Sequence, residues 1–312
     1  MLMVFSITFP IFAMVVLGYV LVAMGGLKPG DMRVFGRYVM NIALPVLVFQ
    51  SVASRPAAEV FQPGYMGAYL IGGLITIALG FVWFSFATDP GRRGIAVMGT
   101  TCPNSGFIGY PLMLLLYPNL AGSVLAMNML VENAVFIPLA LVLIEMGKPS
   151  GEAHPLRQVR NVLIGVIKRP LVIGIILGLV ASLTGLSLPA PVMRLTGLVA
   201  ASAAAPALIV IGGSLVVLPV RGNRALAGQI VLGKLIVMPL ATALAVLAIM
   251  ALGVPLSDDL RIAVILAAAM PMFTIYTVFS QEAGHEGVAS IALLGATAAS
   301  FLTLNLLLAV LI

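Results

Sequence analysis

The stretch Thr100-Thr101-Cys102-Pro103-Asn104-Ser105-Gly106-Phe107-Ile108-Gly109-Tyr110-Pro111 decides the fold. It lies inside an apolar run, residues 94–117, that is long enough to cross a bilayer. Yet it packs two prolines, two glycines, an asparagine and a serine into a dozen positions. Proline removes a backbone donor and its ring clashes with the preceding turn, so a helix that runs into Pro103 breaks there. Inside a membrane, the carbonyl and N–H groups released by a break must find partners within the protein.

Working outward, the composition says which solvent this chain meets. Of 312 residues, 62% are hydrophobic and 8% are charged. Soluble domains carry about 25% charged residues. A chain this apolar has too few polar groups to cover a water-facing surface, so it reads as an all-α integral membrane protein. Its length suits about ten spans of about 20 to 25 residues with short connections. The net charge of +6 is spread over short loops and forms no basic stripe, which argues against a nucleic-acid partner. Cys102 is the sole cysteine, so no internal disulfide and no cysteine metal site is expected. The apolar run from Leu2 to Met24 lacks a basic leader and is too long for a signal peptide core. It reads as the first span.

Hydropathy divides the chain into ten runs: 2–24, 34–53, 64–87, 94–117 and 122–146, then 170–187, 192–218, 225–251, 260–281 and 287–312. Between the two sets lies a polar connection, 147–169, read as a solvated tether in which His154 is a surface histidine. Lysine and arginine fall unevenly on the two sides of this arrangement. One side holds Lys28, Arg33, Arg37, Arg92, Arg93, Lys148, Arg157, Arg160, Lys168, Arg169, Arg221 and Arg224; the other holds Arg55, Arg194 and Arg261. The positive-inside bias makes the 147–169 loop cytoplasmic and puts both termini outside.

Five spans on each side of the loop make the second half cross in the opposite sense, an inverted repeat. The prolines recur in step: Pro10 with Pro170, Pro45 with Pro206, Pro103 with Pro271. The expected organisation is a first five-helix repeat at 1–146, a cytoplasmic linker at 147–169 and a second repeat at 170–312. Helices 4 and 9 are broken.

The ninth run reads Ala267-Ala268-Ala269-Met270-Pro271-Met272-Phe273-Thr274-Ile275-Tyr276-Thr277. Each break leaves carbonyls on one half-helix and N–H groups on the next. The N-terminal end of a half-helix attracts anions. If both breaks meet at mid-membrane, two such ends face one small volume, the arrangement with which transporters hold substrate. Pro103, Asn104, Ser105, Gly106, Pro271 and Thr274 are the candidate substrate-binding residues. Asn41, in Asn41-Ile42-Ala43-Leu44-Pro45, either lines the cavity or bonds a neighbouring helix. Ionisable groups deep in spans are costly and usually functional. Glu132, beside Asn133, stands about 14 Å into the fifth span. Lys234 is similarly deep in the eighth. Glu132 is a candidate proton carrier and Lys234 a candidate anion ligand or partner of Glu132; the plain alternatives are a static buried pair or a snorkelling lysine. The small residues of Ala200-Ala201-Ser202-Ala203-Ala204-Ala205-Pro206 read as helix packing.

These residues resemble the auxin efflux carrier family. The resemblance rests on Asn41-Ile42-Ala43-Leu44-Pro45 followed by Phe49, and on Asn104-Ser105-Gly106-Phe107-Ile108-Gly109-Tyr110-Pro111. In the second half it rests on Pro206-Ala207-Leu208, Ile211-Gly212-Gly213-Ser214-Leu215, Lys234 followed by Pro239, and Pro271. It covers nearly the whole chain. The resemblance implies ten helices in two inverted repeats, with helices 4 and 9 crossing at Pro103, Asn104 and Pro271. It implies a scaffold of helices one, two, six and seven, against which the others move as an elevator. It implies a multi-pass protein of the cytoplasmic (inner) membrane, a homodimer, and small organic anions as substrates, auxin-like or dicarboxylates such as malate and malonate. The chain departs from the plant members in having no long cytoplasmic loop, and from some relatives in lacking a second asparagine after Pro271.

No cofactor is implied, and nothing in the sequence binds a nucleotide. Energy must then come from a gradient, with proton and sodium coupling both open. A sodium-coupled organic-anion symporter of the bile-acid type shares the five-plus-five plan and is the alternative. An intramembrane enzyme is disfavoured: no span holds a nucleophile with its base, paired aspartates or paired histidines.

Overall fold

The computed structural model describes residues 2–147, 160, 164–165, 167–186, 188–219 and 221–312. Lys148, Glu152, His154 and Arg157 of the expected tether lie outside the described residues.

The described chain is helical, with no strand. Its helices are α1 (Leu2–Ala23), α2 (Pro29–Ala53), α3 (Pro63–Ala87), α4 (Pro90–Thr101), α5 (Ser105–Leu116) and α6 (Ala121–Met146). After the central connection come α7 (Pro170–Thr184), α8 (Ala190–Leu215), α9 (Arg224–Ala251), α10 (Asp258–Ala269), α11 (Tyr276–Glu282) and α12 (Glu286–Leu311). Local chemistry sets many of the ends. Proline, which gives up a donor that is orphaned anyway, opens α2, α3, α4 and α7. Side chains also cap starts: at α4 the Asp89 carboxylate accepts from Arg92 N at 3.1 Å, and at α9 Asn223 Oδ1 accepts from Leu226 N at 3.0 Å. Gly185 ends α7 in the left-handed region at φ 64°.

Among the described residues, seven helices are long and apolar enough to cross a membrane. Their outer faces are apolar too. Leu240, Leu244 and Leu247 form a stripe on α9, exposed at 59%, 63% and 63%, and Leu302, Leu306 and Val310 do the same on α12. Stripes of large aliphatics at helical spacing would be unfavourable in water and suit lipid. The fourth apolar run is two helices, α4 and α5, separated at 102–104. The ninth is also two, α10 and α11, separated at 270–275.

Four of the helical stretches loosen into a π turn, and a proline follows each at the same offset. The turns are Val39–Ala43 before Pro45, Ser105–Gly109 before Pro111, Glu132–Phe136 before Pro138, and Gly233–Val237 before Pro239. Proline offers no N–H and clashes with the carbonyl four residues back. Inserting one residue into the turn ahead of it relieves the clash, and it also swings the inserted side chains to a new face. Such turns are rare and often functional.

The helices gather into two compact units, each drawn from both halves of the chain. One comprises 1–62, 105–130 and 166–217. In it α1 lies along the second part of α8, and α7 lies along the second part of α2. The Tyr38 hydroxyl pairs with that of Ser202 at 2.5 Å, and Ser182 Oγ donates to the Arg55 carbonyl at 2.6 Å. This unit holds α1, α2, α7 and α8, the spans that the resemblance groups as a scaffold. It also takes in α5 and the first part of α6, because α5 packs on α8 and α1. The other unit comprises 63–104, 131–165 and 218–312. There α3 packs on α9, α4 packs on α3 and on the second part of α6, and α10 packs on α9, α3 and α12. Its interior is filled by Tyr65, Tyr69, Phe84, Met98, Phe136 and Tyr276, all buried.

Candidate functional site

Within the second unit the two helix breaks meet. Pro103 and Met272 stand opposite each other as an antiparallel pair. The Asn104 amide donates to the Pro271 carbonyl at 2.8 Å, and the Phe273 amide donates to the Cys102 carbonyl at 3.2 Å. In continuous helices those groups would have bonded along their own chain. Two short extended segments have instead exchanged partners. This is how a non-helical stretch survives away from water. Pro103, Asn104, Pro271 and Met272 are all buried.

The surroundings hold this crossing in place. Gly99, one turn before the break, has no room for a side chain: a Cβ would come 2.6 Å from Ile230 Cγ2 and 2.8 Å from the Tyr276 ring. Its hydrogen lets α11 lie against α4. At the end of α4, the hydroxyls of Thr100 and Thr101 both donate to the Val97 carbonyl, at 2.8 and 3.0 Å.

The two deep ionisable residues also belong to this unit. The Glu132 carboxylate accepts a hydrogen bond from the Tyr69 hydroxyl at 2.7 Å, and the Tyr69 ring leans on Phe136, 5.3 Å between centroids. Glu132 and Asn133 both sit in the π turn of α6 and are buried. Lys234 sits in the π turn of α9 and is fully buried. It does not snorkel. Its ammonium donates to the Ala268 carbonyl at 2.7 Å and meets the Met238 thioether at 2.8 Å. Among the described residues no group of three histidine, cysteine, aspartate or glutamate side chains could hold a metal.

Of the sequence-derived site residues, Pro103, Asn104, Pro271 and Thr274 fall in the second unit with Glu132, Asn133 and Lys234. Thr274 is half-buried, and its carbonyl accepts the Thr277 hydroxyl at 2.9 Å. Ser105 and Gly106 follow Asn104 directly and begin a segment of the first unit. Asn41 belongs to that first unit as well, in the π turn of α2, and is exposed. Sequence reading missed Tyr69 as the partner of Glu132 and Ala268 as the acceptor of Lys234. It also missed the π turns, although a proline six residues after Glu132 and five after Lys234 was a readable signal.

The chain matches the description of the family "Membrane transport protein" over residues 3–308. It therefore belongs to that family, which includes the auxin efflux carriers, and it is a multi-pass membrane transporter, not an enzyme. A transporter of this kind works in a lipid bilayer on a small-molecule substrate. Among similar proteins is one of Rhizobium meliloti (strain 1021) named "Putative malonate transporter". It is 25% identical over 290 residues, which cover 89% of this chain and 86% of the relative. Another is the transporter YfdV of Escherichia coli (strain K12), 25% identical over 269 residues, covering 84% of this chain and 82% of the relative.

Proposed function

We propose that this protein moves small organic anions, dicarboxylates of the malonate and malate type foremost, across the cytoplasmic membrane by elevator-type alternating access. The observation that carries the reading is the pairing of Pro103 with Met272, because it brings the ends of two broken helices to one place. N-terminal half-helix ends favour anions, and interrupted helices are where transporters bind them. On this reading Pro103, Asn104, Pro271 and Thr274, all of the second unit, line the substrate site. Glu132, with Asn133 beside it, carries the coupling proton. The name of the Rhizobium meliloti relative supports a dicarboxylate over an auxin-like substrate.

In the proposed architecture α4 with α5, and α10 with α11, each make one interrupted span. The twelve helices labelled α1 to α12 then give ten spans in two inverted repeats, 1–146 and 170–312, joined by a cytoplasmic linker at 147–169. Both termini face outside, and two chains associate as a homodimer. Flux of labelled mono- and dicarboxylates into proteoliposomes tests the function, with and without a proton gradient and with and without sodium. Malonate or malate flux that needs no sodium is the expected result. Strict sodium dependence would favour a symporter of the bile-acid type, and absence of flux for every anion would overturn the substrate class.

A further inference from the structure

The break in the ninth run leaves carbonyls at the end of α10, and each has a different fate. The Ala267 carbonyl would ordinarily accept from residue 271, which is proline and has no N–H; it accepts from Met270 N at 3.4 Å instead. The Ala269 carbonyl would ordinarily accept from Phe273 N, but that group has gone to Cys102 across the break. The Ala268 carbonyl would ordinarily accept from Met272, which is extended opposite Pro103. In its place stands the Lys234 ammonium, 2.7 Å away and fully buried. A cation at a helix C-terminus also complements the helix dipole, and a buried carbonyl without a donor would be unfavourable.

The residue before Lys234 touches the other broken helix. A Cβ on Gly233 would come 2.5 Å from Thr100 Cγ2 and 3.2 Å from Thr100 Cβ, so only glycine lets the turn close on the end of α4. Gly233 and Lys234 therefore reach the ends of both half-helices from one π turn. Pro239 favours that turn by disfavouring an ordinary α turn ahead of it.

We infer that Lys234 is a positioning residue of the transport site: its ammonium caps α10 at Ala268 while Gly233 seats the turn on α4, so that one turn holds both helix ends at the crossing. This rests on the reading of the crossing as the substrate site, but its test does not need that reading to hold. Cys102 is the only cysteine, is buried, and lends its carbonyl to the crossing. Its labelling by a membrane-permeant maleimide reports whether the crossing is closed.

Purified Lys234→Met, Lys234→Gln and Gly233→Ala proteins are compared with the unmodified chain in proteoliposomes, for maleimide labelling and for malonate flux. Met keeps the length and loses every donor; Gln keeps a neutral donor. Labelling is expected to rise about tenfold in Lys234→Met, less in Lys234→Gln, and measurably in Gly233→Ala. Where flux is present, its KM rises in the same order. A monodisperse Lys234→Met protein that labels at the unmodified rate would overturn the inference; falling flux at that unmodified rate would make Lys234 a substrate ligand. If Lys234→Met does not fold, Gly233→Ala decides, and unmodified labelling there would equally overturn it. Absence of anion flux in the unmodified protein counts against the proposed substrate and leaves the labelling comparison standing.

Discussion

The Asn104 amide donates to the Pro271 carbonyl across 2.8 Å, joining residues 167 positions apart at the point where both helices are interrupted. The bond uses backbone atoms on each side. The geometry of the crossing is thus separable from the chemistry of the Asn104 side chain, which is what makes that side chain testable.

Asn104→Ala keeps the backbone bond and deletes the carboxamide. The variant should insert and fold, with a melting temperature close to that of the unmodified protein, while malonate uptake falls about tenfold or more. That is the expected effect of losing one or two hydrogen bonds to a charged ligand. Uptake unchanged in this variant would move the substrate elsewhere.

Gly99→Val places three carbons where Ile230 and the Tyr276 ring already stand. Overpacking of this kind destabilises by about 1 to 3 kcal/mol. The expected outcome is a lowered melting temperature in detergent together with lost flux, since the obstruction lies between α4 and α11 next to the crossing. A fully stable Gly99→Val protein would show that α11 can move away without consequence.

Tyr69 and Glu132 form a buried hydroxyl–carboxylate pair at 2.7 Å. Glu132→Gln preserves shape and removes the titrating group, so flux measured against pH should become flat. Tyr69→Phe should displace the pH profile without flattening it. Combined, the two changes should cost little more than Glu132→Gln alone, because groups that act through one bond are not additive. A pH response retained in Glu132→Gln would assign the proton to another group or to the substrate.

The charge distribution predicts topology. In a background with Cys102→Ser, a cysteine placed at residue 154 should react with an impermeant maleimide only from the cytoplasmic side. The same probe at residue 55 should react only from outside. Labelling of residue 154 from outside would reverse the orientation.

Much of the molecule was legible in consecutive residues. Runs predicted at 64–87, 122–146, 225–251 and 287–312 meet the observed helices within one residue, because hydropathy and helix-ending residues are local properties. The run predicted from residue 34 begins at Pro29, since the turn ahead of residue 34 carries Asp31 and Arg33 and is invisible to hydropathy. The breaks at Pro103 and Pro271 were legible for the same reason: a missing N–H is a property of one residue. Which carbonyl each released N–H would find was not. Asn104 with Pro271, Tyr69 with Glu132 and Lys234 with Ala268 are pairings between residues 167, 63 and 34 positions apart. They depend on how helices from both halves of the chain pack, and on π turns that redirect whole faces. The sequence alone determined that this chain must cross a membrane and that two of its spans must break. Only the tertiary structure decided that the two breaks satisfy one another, because hydrogen bonds released inside a protein are completed by whatever packing brings within bonding distance.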